Sequence, residues 1–203
     1  HIDASGDFLQ DWSRCEVPET GPLEGVETCA IGPEGAPRVL FWGDSHLRAL
    51  MDGIGAEAMR TGTPGLIIWH AGCPPFFGVE KRESAATPAQ DAACAAANDQ
   101  IRRALLGMGL RDVVLIGRWS YYAEGTGVGS DMEHEITLLP ETGPQPDRLR
   151  DLLRATVDEI GQFAQVHILR QIPEIPFYDS RLAARRLAHD RAGGLEQSFS
   201  VPL

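Results

Sequence analysis

The sequence has no apolar run near the roughly 20 residues that a helix needs to cross a bilayer, so no stretch of it reads as a membrane span. Basic side chains are scarce: 18 Lys and Arg stand against 29 Asp and Glu, a formal net charge of −11. That balance argues against a nucleic-acid partner, because phosphate binding needs concentrated cationic side chains. The acidic surface otherwise reads as solubility. There is no Cys-x-x-Cys pair and no Cys/His cluster, so the usual zinc frameworks are missing and no metal or other cofactor is expected. Asparagine occurs once, at Asn98. The chain opens on His1 without a charged, apolar, small-residue leader, and reads as a piece of a longer protein.

What is present is enough for one folded unit. The 203 residues are 43% hydrophobic, which fits a globular domain with a real core. The cysteines are Cys15, Cys29, Cys73 and Cys94. Cys15–Cys29 and Cys73–Cys94 bridges would each close a local loop and would imply an oxidising compartment. Other pairings, or four buried thiols, remain open from spacing alone.

Residues 1–37 are rich in Gly, Pro and Glu and read as an irregular, cysteine-tied lead-in. The main domain is expected over 38–203. Short apolar runs at 39–42, 66–69, 113–116 and 166–169 predict buried strands. Helical spacing predicts helices over 46–59, 89–108, 147–163 and 180–189. Residues 120–146 read as a Gly-rich excursion with one short strand at 136–139. Strands and helices alternate, and the strands are apolar on both faces. The fold class is therefore α/β, a doubly wound parallel sheet with helices on both faces. Sites in such sheets lie outside the carboxyl ends of the strands. That rule selects residues 43–46, 71–75, 117–122 and 171–176.

Gly43-Asp44-Ser45-His46 stands where the first buried strand turns into the first helix. A serine there caps a helix, but it also exposes its hydroxyl beside helix N-terminal N–H groups that can hold an oxyanion. Leu40-Phe41-Trp42-Gly43-Asp44-Ser45-His46 resembles the first block of the SGNH (GDSL-type) hydrolases, in the form fused to acyltransferase-3 membrane proteins. Ala71-Gly72-Cys73-Pro74-Pro75 resembles the second block, Gly117-Arg118-Trp119-Ser120-Tyr121-Tyr122 the third, and Gln171-Ile172-Pro173-Glu174 a late strand-end loop. The four cysteines fit the same branch.

The resemblance implies a three-layer, flavodoxin-like sandwich lacking its last strand at Leu203. It implies Ser45 as nucleophile and the Gly72 N–H as an oxyanion donor. It also implies an acyl donor and a surface glycan as partners, and a periplasmic location tethered to the inner membrane through a membrane acyltransferase domain. A secreted carbohydrate esterase and a catalytically silent glycan-binding module are the alternatives. Two departures stand out. The third block lacks its Asn; Arg118 is the candidate replacement donor, with a purely structural Arg as the other reading, and Trp119 reads as core. The family's late Asp-x-x-His is also missing, so the base is expected beyond Leu203. Asp131-Met132-Glu133-His134 spells that pattern in the wrong place and reads as a chance match. His46, His70, His167 and His189 have no clear claim to the role.

Overall fold

The computed structural model describes residues 13–174. Its strands are β1 (Cys15–Glu16), β2 (Thr28–Ile31), β3 (Val39–Gly43), β4 (Gly65–Trp69), β5 (Glu80–Glu83), β6 (Asp112–Ile116), β7 (Ile136–Leu139) and β8 (Gln165–Ile168). Its helices are α1 (Ser45–Thr61), α2 (Pro88–Leu105), α3 (Trp119–Glu124) and α4 (Gln145–Ile160). The helix expected over 180–189 lies outside the described residues.

The main sheet runs β1-β2-β4-β3-β6-β8. Its β4-β3-β6-β8 portion is parallel, as the apolar runs require. Side chains alternate across it. Leu40, Trp42, Ile68, Val113 and Leu115 face a core shared with α2 and α4. Phe41, Ile67, Val114 and Ile116 face Leu47 and Met51 of α1. The strand order places the switch point between β3 and β6, where the connections leave in opposite directions and a crevice opens at the carboxyl edge.

Three features differ from the sequence expectation. The lead-in is not wholly irregular: β2 pairs antiparallel with β4, and β1 pairs with β2, with Cys15 opposite Cys29. Its four-residue strand carries too little periodicity to stand out among Gly and Pro. The excursion strand β7 pairs with β5 in a separate two-stranded sheet. β5 reads Glu-Lys-Arg-Glu and gives no hydrophobic signal. Finally, β8 is more exposed than a doubly covered strand. Among the described residues only α1 lies on its face of the sheet, beside a groove of about 700 Å³ bordered by Phe41, Val114 and Leu169.

Both expected disulfides are present. Cys15–Cys29 ties β1 to β2, and Cys73–Cys94 ties the loop after β4 to α2. The second bridge sits in a small core with Phe76, Val79, Tyr121, Tyr122 and Leu138, which joins the two-stranded sheet to the main body.

Candidate active site

Ser45 is the first residue of α1, at the carboxyl end of β3 beside the switch point. The turn that presents it depends on two neighbours. Gly43 passes so close to β6 that a Cβ would lie 2.1 Å from the Ile116 carbonyl oxygen, so no larger residue fits. Asp44 is 1% exposed and caps α1. Its Oδ1 accepts from the His46 N–H at 2.8 Å. Its Oδ2 accepts from the Arg118 N–H at 2.8 Å and from the Tyr122 hydroxyl at 2.5 Å. Burial, and then the Asp44 charge, push the Tyr122 phenol up, so it remains a donor. One carboxylate thus fixes the serine turn against the loop after β6.

The loop after β4 lies at the adjoining strand end. The His70 N–H donates to the Gly43 carbonyl at 3.0 Å, and the Cys73 N–H to the His70 carbonyl at 3.1 Å. Asn98, buried on α2, donates to the Pro74 and Phe76 carbonyls at 2.8 and 3.0 Å. Gly72 turns through the left-handed region at φ 65°, and a Cβ there would meet Glu83 Oε2 at 3.0 Å. Among the described residues, the backbone N–H groups of Ser45 and Gly72 have no hydrogen-bond partner. Unpaired N–H groups at adjoining strand ends are suited to hold a developing negative charge.

Behind Gly72 the two-stranded sheet brings in a buried charge cluster. Lys81 is the one lysine of the sequence, and its side chain is 3% exposed. It donates to Glu83 Oε2 at 2.8 Å and to Asp91 Oδ1 at 2.5 Å, while the Tyr121 hydroxyl donates to Glu83 Oε1 at 3.0 Å. His70 is held below its usual range, first by burial and then by Lys81.

Arg118 follows β6 and Gly117. Its guanidinium makes a fork with Glu174, Nε to Oε1 at 2.7 Å and Nη2 to Oε2 at 2.8 Å. Nη1 donates to Asp131 at 3.1 Å, and the group stacks 4.9 Å above the Tyr121 ring. The fork holds the Glu174 carboxyl below its usual range. A pocket of about 330 Å³ opens beside Ser45, walled by Leu50, Gly117, Leu169, Gln171 and Ile172.

His46 lines the Ser45 pocket, and His70 follows β4. The Asp131 carboxylate accepts from Arg118. His167 pairs with Asp112 at 3.0 Å on exposed β8. His189 lies outside the described residues. Ser45 Oγ has no hydrogen-bond partner among the described residues.

A family model described as "SGNH domain (fused to AT3 domains)" matches residues 14–203. The chain belongs to this SGNH family. No curated protein matches it. A solved structure, the periplasmic domain of a lipopolysaccharide acetyltransferase from Salmonella ser. Paratyphi A, is 17% identical. It aligns over 70% of this chain and 47% of its own with a TM-score of 0.44, so this chain spans about half of that domain. In this SGNH domain the first and second blocks fall at the two adjoining strand ends, as the resemblance implies. Lys81 has no sequence signal, Tyr122 and Glu174 stand in matched blocks without a role of their own, and Asn98 is marked only as the sole asparagine. The sole Asn in an Ala-rich helix was the one available signal; the others act through partners far away in the chain.

Proposed function

We propose that this SGNH domain takes part in O-acyl transfer to a cell-surface polysaccharide or lipopolysaccharide outside the cytoplasm, with Ser45 as nucleophile. The supporting observation is that the Ser45 hydroxyl stands at the switch point, and that among the described residues the N–H groups of Ser45 and of Gly72, on the adjoining strand end, have no partner. In this reading Ser45 Oγ attacks the acyl carbonyl, and its proton passes to a histidine base outside the described residues. The two N–H groups hold the tetrahedral oxyanion. Its collapse expels the donor's leaving group and leaves an acyl-serine, and a sugar hydroxyl then takes the acyl group. The two disulfides support an oxidising compartment. The family's fusion to AT3 domains supports a membrane acyltransferase as the tether.

The absence of a base on Ser45 Oγ among the described residues favours a second reading, a glycan-binding module that docks the acceptor for the membrane domain. Ser45→Ala in the full-length protein separates the two. Loss of a nucleophile should lower surface acylation by orders of magnitude, with stability little changed, because Asp44 and not Ser45 caps α1. Wild-type acylation in that variant would support the binding module.

A further inference from the structure

Arg118 occupies the region where the family's third block carries its Asn, yet its surroundings differ from those of an oxyanion donor. Its side chain does not line the pocket beside Ser45; the neighbouring Gly117 does. Three of its N–H groups are directed to Glu174 and Asp131, and its flat face lies on Tyr121. These partners come from the loop after β8, from the excursion and from α3. One guanidinium therefore joins three separate segments around the serine.

The segment after β8 depends on this junction. Residues 169–172 line the Ser45 pocket, and they are not held there by burial: Leu169 is 41% exposed and Ile172 63%. Their attachments are polar. The Trp119 indole donates to the Leu169 carbonyl at 2.7 Å. Gln171 accepts from the Ser120 N–H and donates to the Ser120 hydroxyl, both at 2.8 Å. Gln171 also donates to Glu174 Oε1 at 2.8 Å, which links the amide to the Arg118 fork. The bidentate, charge-assisted fork is the strongest kind of contact in the set. It lies two residues beyond the last lining residue, Ile172, and ties down the end of the strap. A lysine could not replace it, because one ammonium lacks the planar fork.

We infer that Arg118 is a positioning residue: with Glu174 it holds the 169–174 strap, whose residues 169–172 line the Ser45 pocket, and it does not donate to the oxyanion. This inference rests on the proposed nucleophilic role of Ser45 for its kinetic consequences, but its structural part stands separately. A wall residue acts on how well substrate is held, whereas an oxyanion donor acts on the chemical step.

The experiment compares Arg118→Gln, Glu174→Gln, the double variant and Ser45→Ala in the full-length protein. Backbone hydrogen exchange is read at Ser120 and Leu169, whose N–H groups donate to Gln171 Oε1 at 2.8 Å and to the Leu115 carbonyl at 3.0 Å, and steady-state kinetics are read with 4-nitrophenyl acetate. Arg118→Gln and Glu174→Gln should each raise exchange at these two amides about tenfold or more, and the double variant should exceed neither by much, since both break the same fork. Each should raise KM roughly tenfold while kcat stays within about threefold. A kcat loss of about 10²–10³ in Arg118→Gln with a wild-type Glu174→Gln is the signature of an oxyanion donor and overturns the inference. Unchanged exchange in both single variants overturns it as well, whatever the kinetics. If Ser45→Ala keeps wild-type turnover, the nucleophile proposal fails on its own, and exchange alone then decides the strap.

Discussion

Asp44→Ala tests whether the serine turn is held by the three-donor clamp or merely capped. In the wild type, one buried carboxylate accepts from the His46 and Arg118 N–H groups and from the Tyr122 hydroxyl. An ordinary N-cap loss costs about 1 kcal/mol. Hydrogen bonds to a charged group contribute about 1.5–3 kcal/mol each, and their donors are costly to leave unmade in a buried site. The three are coupled through one carboxylate and do not simply add. The expected total is about 4 kcal/mol, at the upper end of single-substitution effects. For a chain of this size that corresponds to a Tm lower by roughly 8–16 °C. Tyr122→Phe removes one donor and leaves the other two, so about 1–2 kcal/mol is expected. The assay is urea and thermal unfolding by circular dichroism with the disulfides intact. A loss near 1 kcal/mol in Asp44→Ala would refute the clamp and leave only a cap. So would a Tyr122→Phe penalty that adds in full to that of Asp44→Ala, because the hydroxyl would then be held by something else.

Lys81→Met should destabilise the domain by about 3–5 kcal/mol, because it leaves the Glu83 and Asp91 carboxylates buried without their cation; denaturant unfolding reads this, and a neutral outcome would show that the cluster is hydrated. Cys73→Ala with Cys94→Ala should cost about 3 kcal/mol from loop closure, and non-reducing peptide mapping of the wild type should recover Cys15–Cys29 and Cys73–Cys94 with no alkylatable thiol. Glu174 gives a pH dependence of defined sign. Its folded value is depressed below 4.5, chiefly by the Arg118 hydrogen bonds. Its stabilisation is therefore complete above 4.5 and is lost as pH falls through the lower folded value. Tm should drop across that acid window, and the drop should be smaller in Glu174→Gln.

The parallel core and the position of the serine follow from local sequence alone. Val39–Trp42, Leu66–Trp69 and Val113–Ile116 are short apolar runs ended or followed by turn residues, and burial on both faces leaves few other structures for them. Ser45 was legible because its neighbours Gly43 and Asp44 act within the same turn. The cysteine pairing was favoured for a similar reason, since each partner is local, and the structure settles it.

Tertiary structure decided what depends on pairing across distance. β5 is a strand because Glu80–Glu83 lies against Ile136–Leu139, a partner more than fifty residues away, and because Asp91 and Glu83 neutralise an inward-facing Lys81. No periodicity in Glu-Lys-Arg-Glu reports that. β2 is ordered by β4, not by its own four residues. At the site, local sequence places Ser45, but Tyr122, Asn98 and Glu174 gain their roles only when the sheet order brings β3, β4, β6 and β8 edge to edge. A hydrogen bond is set by position in space, and the chain records only neighbours along its length. The nucleophile could therefore be read from one turn, while the shell around it appeared only once the strand ends had met.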